Sequence, residues 1–364
     1  MKVGGWIKSV AINLIGIAIA IGAAEAFVRY QVNTKGEFFD TGLPMCRPDD
    51  FTIWRYKPDV DVRFASVGEF DTRIRTNDAG LRGPQIADEK PGQSTVLIIG
   101  GSFTFGMGVS EEDRFSSVAE RKLKAAGFDV RVINAGYWGY TYDQQLVLMR
   151  EMIGRYHPKI VAQEFAWPAI RTLAHHEQHR SSDGQLVSVS DDEIKIDENG
   201  VLKYRSDWLD RPPLKSQLIA TIARAILNRA FLTSATQWVP FLYPEDKSTE
   251  PLWELTDRLA TEGAAVARDQ GIKYVPFLVP TGIEVGGDSW GGLVPPAGAD
   301  TGLPTRRFKA IFAKIGATVL DPSEALRENG GGKLYFVHDG HWNADGHRVM
   351  GELLANTIAP ALKP

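Results

Sequence analysis

The chain has 364 residues, enough for one large or two modest domains, and its 43% hydrophobic and 24% charged residues are ordinary for a globular protein. A net charge of −4 without a long basic run excludes the usual electrostatic footprint of a nucleic-acid binder. One cysteine, Cys46, excludes an intrachain disulfide framework and cannot by itself build a metal centre.

Lys2 and Lys8 precede an apolar stretch from Val10 to Val28 that only Asn13 and Glu25 interrupt. About 20 apolar residues span a bilayer, so residues 1–28 are expected to form a membrane anchor or a signal segment. An uncleaved anchor is the favoured reading. The alternative is secretion after cleavage at the small-x-small triplet Ala24-Glu25-Ala26. Either way the positive end stays inside and the rest of the chain is exported.

Residues 29–90 are expected to form a β-rich juxtamembrane segment. Polarity alternates over 59–64 and 70–74, and Asn77-Asp78-Ala79-Gly80 and Arg82-Gly83-Pro84 are turn signals. From Thr95 the pattern changes. The run Val96-Leu97-Ile98-Ile99 reads as a strand buried on both faces. A helix over 111–126 ends at Gly127, and a second strand covers 130–133. Then come a helix over 142–156, a third strand over 160–165, a helix over 252–270 and a fourth strand over 274–279. A helix over 305–315 and a short fifth strand over 318–320 follow. Asn343 caps a last helix whose Val349, Leu353, Leu354 and Ile358 lie at helical spacing. Strands alternating with helices predict an α/β domain over 91–364 with a mostly parallel, five-stranded sheet. Residues 171–250 break the rhythm and read as an insertion, with a hairpin turning at Glu198-Asn199-Gly200 and an amphipathic helix over 214–232. Residues 286–302, rich in Gly and Pro, read as a surface loop near the site.

Two segments carry chemistry. Gly100-Gly101-Ser102 puts a serine just past the first strand of the domain, where ligands of an open α/β sheet collect. The glycines permit a tight turn and close approach of a substrate, and the Ser102 N–H can face a developing oxyanion. The motif is not Gly-x-Ser-x-Gly, because Thr104 fills the last position. At the other end of the chain, Asp339-Gly340-His341-Trp342-Asn343 offers an acid and an imidazole two residues apart. In an extended segment they project to one side, so Asp339 orients His341 and His341 takes the proton of Ser102. His338 and His347 compete for that role, though His347 falls inside the last helix. Between the two segments, Asn134-Ala135-Gly136-Tyr137-Trp138-Gly139 follows the second strand, on the same sheet edge as Ser102. Gly139 is the expected second oxyanion donor.

These three segments, in order and spacing, resemble the nucleophile, glycine and Asp/His blocks of the SGNH (GDSL-type) hydrolase superfamily. The stretch Arg75-Thr76-Asn77-Asp78-Ala79-Gly80-Leu81-Arg82-Gly83 resembles one seen in membrane-anchored bacterial members. The resemblance covers about residues 91–364. It implies a flavodoxin-like three-layer α/β/α fold, serine esterase or O-acyltransferase activity, catalytic roles for Ser102, His341 and Asp339, and an oxyanion hole of Ser102 and Gly139. The chain departs from the pattern in three places. Gly101 stands where an Asp often sits. Asp339 and His341 are two apart, a spacing closer to that of the exopolysaccharide O-acetyltransferase branch. The third-block asparagine is missing from Gln163-Glu164-Phe165-Ala166-Trp167-Pro168-Ala169-Ile170.

His175, His176 and His179 would hold a metal ion only if a helix put His175 and His179 on one face; a solvated polar loop is the plainer reading. Trp138 and Trp342 flank the expected site and would suit stacking on sugar faces. The expected protein is thus a bacterial, single-pass membrane protein whose C-terminal domain lies outside the cytoplasm. It acts on an acylated carbohydrate or small ester in the envelope, and such chemistry requires no metal and no organic cofactor. The alternative is a non-catalytic carbohydrate-binding or envelope-assembly protein on the same fold.

Overall fold

Runs apolar enough to be buried on both faces become the central strands, and amphipathic runs between them become the covering helices. The computed structural model describes residues 3–35, 44–66, 68–87, 90–180, 186–191, 194–196, 202–204, 218, 222, 234–291 and 293–363. In chain order the elements are α1 (Val3–Lys35), β1 (Cys46–Asp49), β2 (Ile53–Tyr56), β3 (Asp61–Ser66), β4 (Phe70–Arg75), β5 (Ser94–Gly100), α2 (Ser102–Phe105), α3 (Phe115–Ala125), β6 (Val130–Gly136), α4 (Tyr142–Tyr156), β7 (Ile160–Phe165), α5 (Pro168–Thr172), β8 (His176–Arg180), β9 (Leu186–Asp191), β10 (Ile194–Ile196), β11 (Leu202–Tyr204), α6 (Glu250–Asp269), β12 (Lys273–Leu278), α7 (Leu303–Lys314), α8 (Ser323–Glu328) and α9 (Ala344–Leu362).

The central sheet has four parallel strands in the order β12-β7-β5-β6. Numbered within the domain this is the flavodoxin-like order, and β5 lies at the point where the winding reverses, so a ligand crevice opens beyond its carboxyl end. Successive residues of β5 feed opposite layers. Val96 and Ile98 join the core beneath α3 and α9, and Leu97 and Ile99 join the core beneath α4, α6 and α7. The sheet is thereby sandwiched between two helical layers. The expected fifth strand is reduced to one parallel bridge, Leu320 to Phe277. Leu278 N–H donates to Leu320 O at 2.9 Å and Leu320 N–H to Pro276 O at 2.8 Å. The next rung would need an N–H from Pro276, which has none, so the ladder stops there.

The β-rich stretch ahead of the domain is two antiparallel hairpins, β1–β2 and β3–β4. It docks through aromatic contacts. Tyr56 stacks on Tyr137 at 4.4 Å and Trp54 meets Tyr140 edge-on at 5.3 Å. In the insertion, β8 pairs with β9 and β10 with β11. The expected turn at 198–200, and all but positions 218 and 222 of the expected helix over 214–232, lie outside the described residues. In α1, Ile12–Gln31 is a 20-residue span with a mean hydropathy of 1.7 and only 6% of it buried. It is long and apolar enough to be a membrane span or a signal sequence. Within it Glu25 pairs with Arg29 at 2.6 Å and accepts the Leu218 N–H at 2.9 Å.

Candidate active site

Strand β5 ends at Gly100 and the chain turns at once into α2, a single helical turn that begins with Ser102. Crowding excludes a side chain at Gly100 and leaves little room for one at Gly101. A Cβ on Gly100 would lie 2.0 Å from Thr104 Oγ1, and one on Gly101 would lie 3.1 Å from both Glu164 Oε1 and Tyr140 O. The neighbouring strand β6 pairs with β5 through Gly100↔Gly136, and Tyr137 N–H donates to Gly100 O at 3.0 Å. The glycine turn that contains Gly139 therefore runs beside the serine turn. Gly139 itself is in the left-handed region, φ 83°, which a residue with a side chain rarely adopts.

The Asp/His segment closes over this edge from the C-terminal side. Phe336 N–H donates to His341 O at 2.8 Å and Gly340 N–H to Phe336 O at 3.0 Å, which pins the turn at both ends. Asp339 and His341 do not meet as i and i+2 of an extended segment. Gly340 is left-handed, φ 83°, and Asp339 Oδ1 folds back to accept the His341 N–H at 3.1 Å. The same oxygen lies 2.6 Å from His341 Nδ1. His341 Nε2 lies 2.6 Å from Ser102 Oγ. Burial pushes the Asp339 carboxyl up, but the His341 imidazole and its hydrogen bonds outweigh burial and hold it below the usual carboxylate range. An ionised Asp339 accepts from Nδ1–H, which leaves Nε2 as the acceptor for the serine hydroxyl. The side chains of His341 and Asp339 are each 17% exposed, so solvent reaches the pair. Phe103 backs the imidazole at 4.6 Å between ring centres. The loop over 286–302 reaches the same turn, where Trp290 Nε1–H donates to Gly340 O at 2.6 Å.

The competing histidines stand elsewhere. His338 is exposed. His347 is fully buried in α9 and its Nδ1 accepts the Phe115 N–H at 3.2 Å. The His175–His179 stretch is not a helix: His175 ends a short 3-10 turn and His176–Arg180 is strand β8. The shared helical face that a metal would need is absent. His176 is buried, with Nδ1 2.7 Å from Asp143 Oδ2. Trp342 is also no sugar platform. It is 0% exposed and packs edge-on against Phe103, whereas Trp138 is only half-buried.

One residue that sequence reasoning passed over is Glu164. From β7 its Oε2 accepts from Thr104 N–H at 2.8 Å and Thr104 Oγ1–H at 2.6 Å, and the carboxylate also takes the Gly101 N–H. Burial pushes its carboxyl up, against these bonds. Glu164 thus fills the space where a side chain at position 101 would begin. An ionisable residue in a strand read as buried was its signal. Along Gln163–Ile170 the side-chain donors are already committed, Gln163 Nε2 to Gln145 Oε1 at 3.3 Å and Trp167 Nε1 to Glu284 Oε2 at 2.9 Å. Neither replaces an asparagine donor.

No family profile matches the chain, and no curated protein matches it. Solved structures do. The crystal structure of TesA is 13% identical, covers 74% of this chain and 99% of its own, and has a TM-score of 0.42. A putative lipolytic protein of the G-D-S-L family from Desulfitobacterium hafniense is 12% identical, with coverage of 72% and 98% and a TM-score of 0.38. A carbohydrate acetylesterase family member from Sinorhizobium meliloti is 12% identical, with coverage of 74% and 99% and a TM-score of 0.40. Likenesses this distant carry no statement about activity.

Proposed function

We propose that the chain is a serine-dependent acyl ester hydrolase or O-acyltransferase of the SGNH (GDSL) type. The observation that carries this reading is the continuous line Ser102 Oγ, His341 Nε2, His341 Nδ1, Asp339 Oδ1, with both gaps at 2.6 Å. In the proposed reaction Ser102 attacks the ester carbonyl while His341 takes its proton, and Asp339 steadies the imidazolium. The backbone N–H groups of Ser102 and Gly139 face the oxyanion of the tetrahedral intermediate. His341 then protonates the leaving alcohol, and the acyl-serine passes its acyl group, an acetyl in the simplest case, to water or to a sugar hydroxyl. The half-buried Trp138 beside Gly139 supports a carbohydrate as acyl donor or acceptor, because its ring can stack on a sugar face. The apolar α1 supports attachment to a bacterial cell membrane, with residues 29–364 outside the cytoplasm.

A fluorophosphonate probe and p-nitrophenyl acetate test the reading together. Wild type is expected to be labelled at Ser102 and to turn over the ester. Ser102→Ala is expected to lose labelling and at least about 1000-fold in kcat. A wild-type protein that neither labels nor hydrolyses would favour the carbohydrate-binding alternative. Product formed with water, compared with product formed with an added glycan, then separates hydrolase from transferase.

A further inference from the structure

Each of the three turns that carry the proposed site is held from outside the α/β domain, and each time by a side chain of residues 44–87. Glu69, in the turn between β3 and β4, accepts the backbone N–H of His338 at 2.7 Å and of Asp339 at 3.1 Å. Arg82 is buried and donates to Phe105 O at 3.1 Å, Gly106 O at 2.5 Å and Val109 O at 2.6 Å. Phe105 and Gly106 close the short helix that Ser102 opens. Tyr56 accepts the Trp138 N–H on its hydroxyl at 2.5 Å, one residue before Gly139.

We propose that the β-rich segment is a positioning frame, in which Glu69, Arg82 and Tyr56 fix the acid–base turn, the nucleophile turn and the glycine turn relative to one another. The proposal rests on the serine esterase reading for its catalytic consequence, not for its structural one.

The physics favours such a device. A helix of one turn cannot sustain itself. Its terminal carbonyls lack partners within the helix, and a cation there satisfies them and opposes the helix dipole. Arg82 does this from a buried position, where burial and the neighbouring Arg114 push its guanidinium down to about 9. Arg114 in turn donates to Arg82 O at 2.9 Å, which fixes the backbone that carries the clamp. Glu69 joins two consecutive N–H groups at the start of the Asp339 turn, so loss of its carboxylate frees the residue that orients His341. The residue stretch that holds Arg82 stood out in the sequence but had no role in the chemistry.

The test uses the full-length protein and four variants. In Glu69→Ala, kcat for p-nitrophenyl acetate is expected to fall about 10–100-fold while KM stays within about twofold, the pattern of a misplaced catalytic group. Glu69→Gln, whose amide oxygen still accepts, is expected to recover part of that loss. Tyr56→Phe is expected to lower kcat about 10-fold by releasing the Trp138 N–H. Asp71→Asn serves as the control. It breaks only the exposed Arg63–Asp71 pair of the same hairpin and is expected to leave kcat unchanged. Hydrogen exchange read on a peptide spanning 336–343 supplies a readout independent of activity, and Glu69→Ala is expected to speed exchange there. Wild-type exchange and wild-type kcat in Glu69→Ala would overturn the frame, as would an equal loss in Asp71→Asn. An inactive wild type would instead defeat the esterase reading, and the exchange comparison would still decide the frame.

Discussion

At the scale of single residues, His347 shows how burial sets a charge state. Burial, aided by the charges of Arg82, His341 and Arg114, pushes its imidazole down to about 3, so it stays neutral in the folded chain. In the unfolded chain it titrates near 6.5. Between those values the unfolded chain binds a proton that the folded chain refuses, so this group makes stability fall as pH drops from about 6.5 towards 3. Thermal unfolding across that window is therefore expected to show a shallower slope in His347→Gln than in wild type, by a few kcal/mol over the range at about 1.4 kcal/mol per pH unit. Parallel slopes would refute the assignment. That Ser102, Asp339 and His341 meet was legible in the sequence, because each sits in a turn whose glycines and flanking strand or helix signals are local. The roles of Glu69, Arg82 and Tyr56 were not, because their partners lie far away in the chain and no periodicity encodes that. The route by which Asp339 meets His341 was also misread. The left-handed Gly340 makes a turn where alternation implied extended backbone.

At the scale of elements, the boundaries that held best were those of segments with one strong period. Tyr142–Tyr156 and Ile160–Phe165 fall where hydrophobic spacing put them. The helix expected from 111 begins at Phe115, because residues 111–114 make turns that end at Arg114, whose guanidinium donates to Arg82 O. The fifth strand failed for a reason written in its partner, the missing donor of Pro276. The β6–α2 contact leaves no room for a side chain. A Cβ on Gly136 would lie 2.2 Å from Phe105 N and 2.5 Å from Thr104 C, both backbone atoms that cannot rotate away. Gly136→Ala is expected to cost about 3 kcal/mol, as overpacking does, and to lower fluorophosphonate labelling of Ser102 by displacing α2. Denaturant unfolding together with the labelling rate checks both. An unchanged midpoint would show that the two turns do not press on each other.

At the scale of the whole molecule, the α/β class and the mostly parallel sheet were recoverable from alternation, whereas the flavodoxin-like order was implied only by the family resemblance. The attachment of the β-rich segment to all three site turns was not recoverable. Whether α1 persists in the mature protein has a direct test. If it spans the bilayer, the full chain is expected to resist extraction from membranes by alkaline carbonate. Release into the soluble fraction, with an N-terminus near position 27 by mass spectrometry, would instead establish cleavage.

An anchored chain would also confine its own chemistry in space. Eleven residue steps separate Lys35, the end of α1, from Cys46, the start of the first hairpin, a leash of at most about 40 Å. Esters farther from the lipid surface than that leash plus the protein's own girth would go untouched, however tightly the crevice gripped them. Polymer threading past the bilayer would be worked on within a narrow shell, at a local concentration set by tether length and not by bulk supply.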